Sequence, residues 1–332
     1  MVEPAATADG QTTPQGKSCG VSARVASRTI VCRQHVWIDL ALPAFPVSHP
    51  GQFLQVLCRG PDDVRPRVRD WPADGFPSLT PQYLTGQRPF LRRPFSIADR
   101  YESTDGYVHL AILSRCVGVG TRWLEHLRVG DRLDITGPLG RGFRVPVDDW
   151  ELVLVGGGVG IPPLLYLARY LREQGRRRAT LIFGVTTRDL LPLRLAGEPS
   201  SDGTPTHCLV LPGGADYPAI VTSDDGSVGM RGAVTDALRG WHARRGRAAT
   251  AVFACGPSAM LAAVAGLTRE LGLDCQLCLE RHMGCGLGTC LSCVVRVRDD
   301  NQSDGWRWAL ACRDGPVFDR DELLDADPQP HP

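Results

Sequence analysis

Four cysteines near the C-terminal end of the chain have the residue type and the spacing to bind a metal cluster. They are Cys285, Cys290, Cys293 and Cys312. Their order is C-x4-C-x2-C, then 18 further residues, then the last cysteine, which is the plant-type ligand spacing for a [2Fe-2S] cluster. Gly286 and Gly288 would let the loop wrap tightly and aim backbone N–H groups at the cluster sulfurs, where they tune the reduction potential. The pattern therefore predicts electron transfer.

A zinc site with four cysteines is the alternative interpretation. Zinc sites usually pair two short C-x-x-C-type units, whereas three of these cysteines share one loop and the fourth stands apart. A further C-x-x-C pair, Cys275 and Cys278, precedes the loop on a predicted strand, where cysteine commonly acts as a small packing residue. We therefore expect these two cysteines and Cys255 not to bind the cluster.

Two glycine-containing segments indicate a nucleotide site. The glycines of the first are Gly156, Gly157, Gly158 and Gly160. They follow an apolar strand and open a helix, a context in which glycine lets a pyrophosphate approach the positive end of the helix dipole. The sequence GGGVGIPP departs from the G-x-G-x-x-G fingerprint, and its prolines suit the first turn of a helix, so it belongs to a different nucleotide fold. The second segment, Cys255-Gly256-Pro257, ends a later apolar strand, and both loops can face one site at the edge of a parallel sheet.

A basic segment, LRRPFSI, could bind a second phosphate-containing group. Arg93 could neutralise a pyrophosphate in bidentate fashion, while Ser96 and nearby backbone amides could hydrogen-bond a flavin ring. The later segment VGVGTRWLEHL places Gly118, Gly120 and Thr121 before a short amphipathic helix, whose N-terminus also suits phosphate. A plain Thr N-cap explains the same residues, and the two roles are compatible.

The elements that must position these groups fall into three parts. Short β-rich runs cut by Gly and Pro predict an antiparallel β-barrel in the first part. From Glu151 onward, alternating strand and helix patterns predict a parallel-sheet α/β domain. The last part shows little helical periodicity and is expected to fold as a small module around its metal. The predicted segments are a disordered tail at 1–20, an FAD-binding barrel at 21–149 with an insertion loop at 61–90, an NAD-binding α/β domain at 150–271 and a cluster module at 272–332.

Composition excludes several classes of protein. The 37 basic and 36 acidic side chains nearly cancel, so no nucleic-acid or membrane-surface partner is indicated. The first 20 residues lack an apolar signal-peptide core, and the longest apolar run is interrupted by glycines and prolines, so no membrane span is expected. Twelve cysteines in 332 residues are too few for a secreted disulfide scaffold. We therefore expect a cytoplasmic protein, whose reducing surroundings suit thiolate ligands.

A set of motifs, in order along the chain, resembles one family. The motifs are LRRPFSI, GVGT, GPLGRGF, LVLVGGGVGIPPL, TSDDGSVGMRGAVTD, ACGPSAML, LERHMGCGLGTCLSC and ACRDGPVFD. Together they resemble the electron transfer subunit of two-subunit dihydroorotate dehydrogenase, from about Val21 to about Leu324. The flavin and nucleotide motifs are shared across the ferredoxin reductase superfamily, whereas CRDGPVF and the DGSxGxxGxVTD stretch narrow the resemblance to this subunit and its close relatives.

The resemblance implies one FAD and one [2Fe-2S] cluster in the chain, with NAD as substrate. FAD would be held by Arg93, Pro94, Phe95, Ser96, Leu113, Ser114, Arg115, Gly120 and Thr121. NAD would be held by Gly156, Gly157, Gly158, Gly160, Cys255, Gly256 and Pro257, and the cluster by the four cysteines named first. No side chain is expected to act as a catalytic acid or base, and Cys255 would lie near the nicotinamide. Family members often have Ile or Tyr at Phe95, Gly or Ala at Ser292 and Arg at His282.

The resemblance also implies a function for the chain. An FMN-containing catalytic subunit would oxidise dihydroorotate, and its electrons would pass through the cluster and FAD to NAD+, in pyrimidine biosynthesis. The assembly would be a heterotetramer with two copies of each subunit. Two further functions stay open: a related NAD(P)H oxidoreductase subunit, of the sulfide dehydrogenase or ferredoxin:NADP transhydrogenase type, and a non-enzymatic zinc-binding interaction protein. Arg188 could bind the 2′-phosphate of NADP, whereas Asp189 would repel it, and the resemblance favours NAD.

Overall fold

The computed structural model of the chain describes residues 19–59, 91–147, 150–176, 178–245 and 248–324. The predicted insertion at 61–90 and most of the predicted N-terminal tail lie outside the described residues. Cys19 and Gly20, which we predicted as the end of that tail, already belong to the first strand, where Cys19 pairs with Gly137. The first sheet therefore begins slightly before the predicted boundary.

Seven antiparallel strands form the first sheet, in the order β4-β3-β7-β1-β2-β6-β5. The strands are β1 (Cys19–Cys32), β2 (His35–Leu42), β3 (Phe53–Leu57), β4 (Arg93–Ser96), β5 (Asp99–Glu102), β6 (Val108–Arg115) and β7 (Arg132–Leu139), and helix α1 (Val119–Glu125) follows β6. Within the described residues no ladder joins the edge strands β4 and β5, so the sheet is an open half-barrel. The antiparallel prediction is confirmed. Leu54 and Val56 of β3 enter the core of this sheet, and because side chains alternate along a strand, Phe53 and Gln55 point to the opposite face.

The second sheet carries the nucleotide motifs and has the order β11-β10-β9-β8-β12-β13-β16. Its strands are β8 (Glu151–Gly157), β9 (Ala179–Val185), β10 (Ala219–Ser223), β11 (Met230–Arg231), β12 (Thr250–Cys255), β13 (Asp274–Cys278) and β16 (Val317–Asp319). Helices α2 (Ile161–Glu173), α3 (Val234–Arg245) and α4 (Ser258–Glu270) pack on it. The strands pair in parallel, as predicted, except that β16 is antiparallel to β13. Of the helices in the described ranges, none combines the length and the apolarity needed to cross a membrane.

The C-terminal residues are divided between this sheet and a small hairpin. Strands β14 (Val294–Arg298) and β15 (Trp306–Leu310) pair only with each other, beside the cysteine loop. Strand β13 instead continues the parallel sheet, where Cys275 lies opposite Val252 of β12. Residues 274–278, which fall within the predicted cluster module at 272–332, thus form a strand of the nucleotide sheet, where Cys275, Leu277 and Cys278 are buried. Cys275 and Cys278 are both buried on β13, as expected of packing residues.

Two contacts from helix α2 hold the second sheet against the first. The Tyr166 hydroxyl donates to the backbone carbonyl of Ser48, with 2.7 Å between the oxygens. The Arg169 guanidinium donates to the carboxylate of Asp99 at 2.9 Å, and both side chains are largely shielded from solvent. Shielded charge-assisted contacts of this kind fix orientation well. In this arrangement β6 lies against residues 158–160, which follow β8.

Candidate functional site

The cysteine loop wraps its backbone around the first of the four cysteines. The N–H groups of Leu287, Thr289 and Cys290 point at the sulfur of Cys285, with N···S distances of 3.3, 3.3 and 3.4 Å. This wrap requires positive φ angles of 74° at Gly286 and 86° at Gly288, which glycine adopts without the steric penalty of a side chain. The loop thus brings three backbone amide donors to the sulfur of Cys285, one of the predicted ligands.

The four thiols interact in two pairs. Cys285 hydrogen-bonds Cys290, and Cys293 hydrogen-bonds Cys312, whose backbone N–H also lies 3.4 Å from the Cys293 sulfur. Hydrogen bonds from Ser292, followed by those from Cys285, lower the pKa of Cys290 to about 6. The hydrogen bond with Cys312 lowers the pKa of Cys293 to about 6, while the same bond and burial raise the pKa of Cys312. The thiolate is the metal-binding form of cysteine, so the lowered pKa values of Cys290 and Cys293 favour metal binding by this loop.

Ser292 departs from the small residue common in the family and takes part in the loop. Its hydroxyl oxygen lies 3.1 Å from the sulfur of Cys290 and accepts a hydrogen bond from the backbone N–H of Gly284 at 3.0 Å. It therefore links the two ends of the loop and contacts the sulfur of Cys290, a predicted ligand, directly.

The donor set has the number and type of ligands that an iron-sulfur cluster needs, four cysteine thiols arranged in two pairs. A structural zinc site needs four ligands around one ion, whereas each iron of a [2Fe-2S] cluster takes two protein ligands. Two pairs of thiols match the second requirement.

The two segments assigned to FAD meet on the first sheet. A Cβ atom built on Gly120, at the start of α1, would lie 3.5 Å from Cγ of Arg93 on β4. Phe95 lies opposite Leu54 in the ladder and packs on the sheet core. The Thr121 hydroxyl accepts hydrogen bonds from the backbone N–H groups of Val117 and Gly118 at 2.9 Å. The Thr N-cap interpretation is wrong in detail, because Gly118 occupies the N-cap position and Thr121 reaches back to it from inside the helix.

Strand β6 contributes the remaining residues that the resemblance assigned to FAD. Leu113 and Ser114 are buried, and the Ser114 hydroxyl has no hydrogen-bond partner among the described residues. Arg115 lines a different space, the cavity beside the nucleotide loops. Its Nε atom is buried there without a partner in the described part of the chain. The strand thus offers two buried polar atoms without partners in the described part of the chain, and Arg115 brings one of them to the cavity.

A cavity of about 410 Å³ lies at the carboxyl ends of the parallel strands. Gly157, Gly158 and Pro257, three of the residues predicted to bind NAD, line it. The other four are not among its lining residues; they are Gly156, Gly160, Cys255 and Gly256. A Cβ on Gly156 would touch Leu164 and Phe183 at about 3.0 Å, so this glycine serves helix–strand packing. Asp224, which follows β10, also lines the cavity, as do His35 and Arg115 of the first sheet.

His35 lines the same cavity, and sequence reasoning missed it. The side chain is 2 % exposed, and its Nδ1 atom lies 2.9 Å from the carbonyl oxygen of Arg33. A carbonyl can only accept, so the proton is assigned to Nδ1, which leaves Nε2 as an acceptor with no partner among the described residues. Burial lowers the pKa of His35, and the nearby charge of Arg115 acts in the same direction. No motif marks this residue, because it belongs to the first sheet and reaches the cavity only through the fold.

Arg188, the residue considered for a 2′-phosphate, is already paired. Its guanidinium donates two hydrogen bonds to the carboxylate of Glu198, at 3.1 and 2.7 Å. The same interaction lowers the pKa of Glu198 and keeps it ionised. Its backbone N–H donates to the hydroxyl of Ser227 at 2.8 Å. The charge of the Arg188 guanidinium is therefore balanced by Glu198 within the chain.

Comparisons with known proteins identify the same parts of the molecule. Residues 154–266 match the family described as oxidoreductase NAD-binding domain, and residues 280–324 match the iron-sulfur cluster binding domain of dihydroorotate dehydrogenase B. A solved NADH-dependent reduced ferredoxin-NADP oxidoreductase, studied for flavin-based electron bifurcation, aligns over 95 % of this chain and 91 % of that chain, with a TM-score of 0.63 and 25 % identity. Fold and site together define a subunit of a flavin- and iron-sulfur-dependent NAD oxidoreductase.

Curated relatives narrow this class. The electron transfer subunit of dihydroorotate dehydrogenase B (NAD(+)) from Caldanaerobacter subterraneus subsp. tengcongensis is 32 % identical over 276 residues, which cover 83 % of this chain and 87 % of the relative. The subunit of that name from Fusobacterium nucleatum subsp. nucleatum is 32 % identical over 290 residues, which cover 85 % and 93 %. The chain belongs to the family of dihydroorotate dehydrogenase B electron transfer subunits. The resemblance seen in the motifs is confirmed.

Proposed function

We propose that this chain transfers electrons from the FMN of a dihydroorotate dehydrogenase catalytic subunit to NAD+, through its own [2Fe-2S] cluster and FAD, in pyrimidine biosynthesis. The observation that carries the proposal is the contact between Gly286 of the cysteine loop and Gln55 of β3. Strand β3 pairs directly with β4, which carries Arg93 and Ser96. The cluster loop and the flavin segment are thus neighbours across a single strand. FAD, when bound, exchanges hydride with nicotinamide and single electrons with an iron–sulfur centre.

The three parts of the chain would divide the binding of these groups. On the first sheet, Arg93 would neutralise the FAD pyrophosphate, and the buried hydroxyl of Ser114 would hydrogen-bond the same cofactor. The remaining members of the proposed FAD site are Pro94, Phe95, Ser96, Leu113, Arg115, Gly120 and Thr121. The cysteine loop would hold the cluster through its two thiol pairs, each pair on one iron.

The nucleotide cavity would bind NAD rather than NADP. Its lining by Gly157 and Gly158 suits the close approach of a pyrophosphate to the backbone. Arg188, the residue considered for a 2′-phosphate, is occupied by Glu198, and Asp224 adds a negative charge to the lining. Cys255 is buried behind the loops and would lie behind the nicotinamide without exchanging protons, because a hydrogen bond with Cys278 and burial raise the pKa of its thiol.

The surface around the cluster loop supports a protein partner. Cys290 is exposed, and Leu287 and Leu291 beside it are 55 % and 61 % exposed. Trp308 of β15 is a further large apolar side chain that is mostly exposed. Apolar residues grouped on a surface commonly mark a protein interface. We assign this surface to the FMN-containing subunit, in a heterotetramer with two copies of each chain, and we propose a cytoplasmic location, which suits twelve free cysteines.

A related oxidoreductase subunit is the second candidate, and the likeness to the ferredoxin-NADP oxidoreductase is the observation that favours it. The test is to isolate the chain together with its native partner under anaerobic conditions and to assay NAD+ reduction with dihydroorotate, with sulfide and with reduced ferredoxin. We expect NAD+ reduction with dihydroorotate alone. Activity only with sulfide or ferredoxin would assign the chain to the second candidate, and a colourless preparation binding zinc would exclude both.

A further inference from the structure

Gln55 is a buried side chain whose polar atoms are unsatisfied. It lies in the middle of β3 and has no exposed surface. Neither its Oε1 nor its Nε2 atom has a hydrogen-bond partner among the described residues. A buried amide without partners loses the hydrogen bonds it would make to water, so its position calls for a partner that binds at this place.

The amide of Gln55 is directed at the cysteine loop. A Cβ atom built on Gly286 would lie 2.5 Å from Nε2 of Gln55 and 2.6 Å from its Cγ. Gly286 directly follows the ligand Cys285, so the Gln55 amide stands against the backbone that encloses the cluster position. In the ladder, Gln55 lies opposite Pro94 of the flavin strand β4. The side chain therefore occupies the space between the flavin segment and the cluster loop.

Three backbone N–H groups of the loop already donate to the sulfur of Cys285. Gln55 would add a side-chain donor from outside the loop. An N–H group that donates to cluster or thiolate sulfur stabilises the reduced, more negative cluster more than the oxidised one, and so raises its reduction potential.

We propose that Nε2 of Gln55 donates a hydrogen bond to a sulfur atom of the cluster or of its Cys285 ligand, and that this hydrogen bond raises the reduction potential of the cluster. Gln55 would reach the cluster from the side of the flavin strand β4. This inference rests on the proposed function, since it requires the [2Fe-2S] cluster. It assigns Gln55 as a positioning and tuning residue that reacts with neither substrate nor cofactor.

The test is a redox titration of the intact holoprotein, followed by EPR of the reduced cluster. Gln55→Met keeps the length of the side chain and removes the donor. We expect a roughly tenfold lower ratio of reduced to oxidised cluster at a fixed potential, which corresponds to about 59 mV for a one-electron couple. The flavin absorption spectrum and the flavin potential should not change. Gln55→Leu provides a second donor-free variant should the methionine variant retain too little iron.

Gln52 is the matched control. It is also a buried glutamine, but its Oε1 accepts from the His49 backbone at 2.8 Å and its Nε2 donates to the Gly140 carbonyl at 2.7 Å. Gln52→Met should lower stability and leave the cluster potential unchanged. If both Gln55 variants bind a full cluster at the wild-type potential, the inference is overturned. If the wild-type holoprotein itself gives no [2Fe-2S] signal, the proposed function fails instead.

Discussion

Gly160 and Cys255 meet backbone to backbone, so that a Cβ atom on Gly160 would lie 2.2 Å from the carbonyl carbon and oxygen of Cys255. Gly160 ends the glycine loop after β8, and Cys255 ends β12, the strand that pairs with β8. This contact joins the two nucleotide loops into one wall of the cavity. It explains why a glycine that does not line the cavity is still part of the motif.

Gly160→Ala should destabilise the protein and weaken NAD binding together. The added methyl group meets backbone atoms, which cannot rotate away, and overpacking of this kind costs about 1–3 kcal/mol. Thermal unfolding and equilibrium dialysis with NAD+ provide the two measurements. Gly266→Ala is the control, because that exposed glycine of α4 has nothing within 4 Å of its Cβ position, and it should be neutral or slightly stabilising. Equal behaviour of the two variants would contradict the role of the contact.

Local sequence patterns were sufficient to predict the shape of the cysteine loop. They also predicted that an antiparallel sheet comes first along the chain and a parallel sheet second. The spacing of the cysteines and the glycines at 286 and 288 describe a single loop, so its wrap around Cys285 follows from neighbouring residues alone. The change from β-rich runs to strand–glycine–helix units likewise marks the start of the parallel sheet at Glu151.

Features that depend on distant pairing could not be predicted in this way. In the sequence, β13 is a short cysteine-containing segment that lies close to the cysteine loop along the chain. Only its pairing with β12 assigns it to the nucleotide sheet. The glycine motif does not distinguish Gly157, which lines the cavity, from Gly160, which packs on a neighbouring loop. His35 and Gln55 carry no motif at all, and they become conspicuous only because the fold buries polar atoms that lack partners within the described ranges.

Arg93→Ala should weaken retention of FAD. The substitution removes a charge-assisted contact to the proposed pyrophosphate position, a class of bond worth about 1.5–3 kcal/mol, so at least a roughly tenfold loss of affinity is expected. Flavin content after dialysis is the measurement. Arg92→Ala is a suitable control, since Arg92 points to Asp134 on β7 and pairs with its carboxylate at 2.9 Å. Flavin loss confined to the Arg92 variant would show that Arg92, and not Arg93, contacts the FAD pyrophosphate.

Cys290→Ala should abolish the EPR signal of the reduced cluster, whereas Cys278→Ala should retain it. Cys290 belongs to the first thiol pair of the loop, while Cys278 is buried on β13 beside Cys255. Iron and sulfide analysis of both purified variants completes the measurement. The ligand assignment would be wrong if the Cys278 variant lost its iron and the Cys290 variant kept it.

His35→Gln should reduce the sensitivity of the protein to mild acid. Burial lowers the pKa of His35 in the folded chain, so the unfolded chain takes up the proton first, near its ordinary pKa of about 6.5. The stability that the neutral ring contributes is therefore present above this pH and is lost as the pH falls further. Thermal unfolding of wild type and variant at pH values on both sides of about 6.5 tests this. A parallel decline of the two proteins on acidification would contradict it.

The central claim, that electrons reach NAD+ through the cluster, is tested most directly with the chain reconstituted with its FMN-containing partner. The measurement is dihydroorotate-dependent NAD+ reduction by wild type and by Cys290→Ala, with NADH-dependent reduction of an artificial two-electron acceptor as the control for FAD and NAD binding. We expect the variant to lose dihydroorotate-dependent NAD+ reduction while keeping the activity with the artificial acceptor. Undiminished NAD+ reduction by a variant without a cluster would contradict the account.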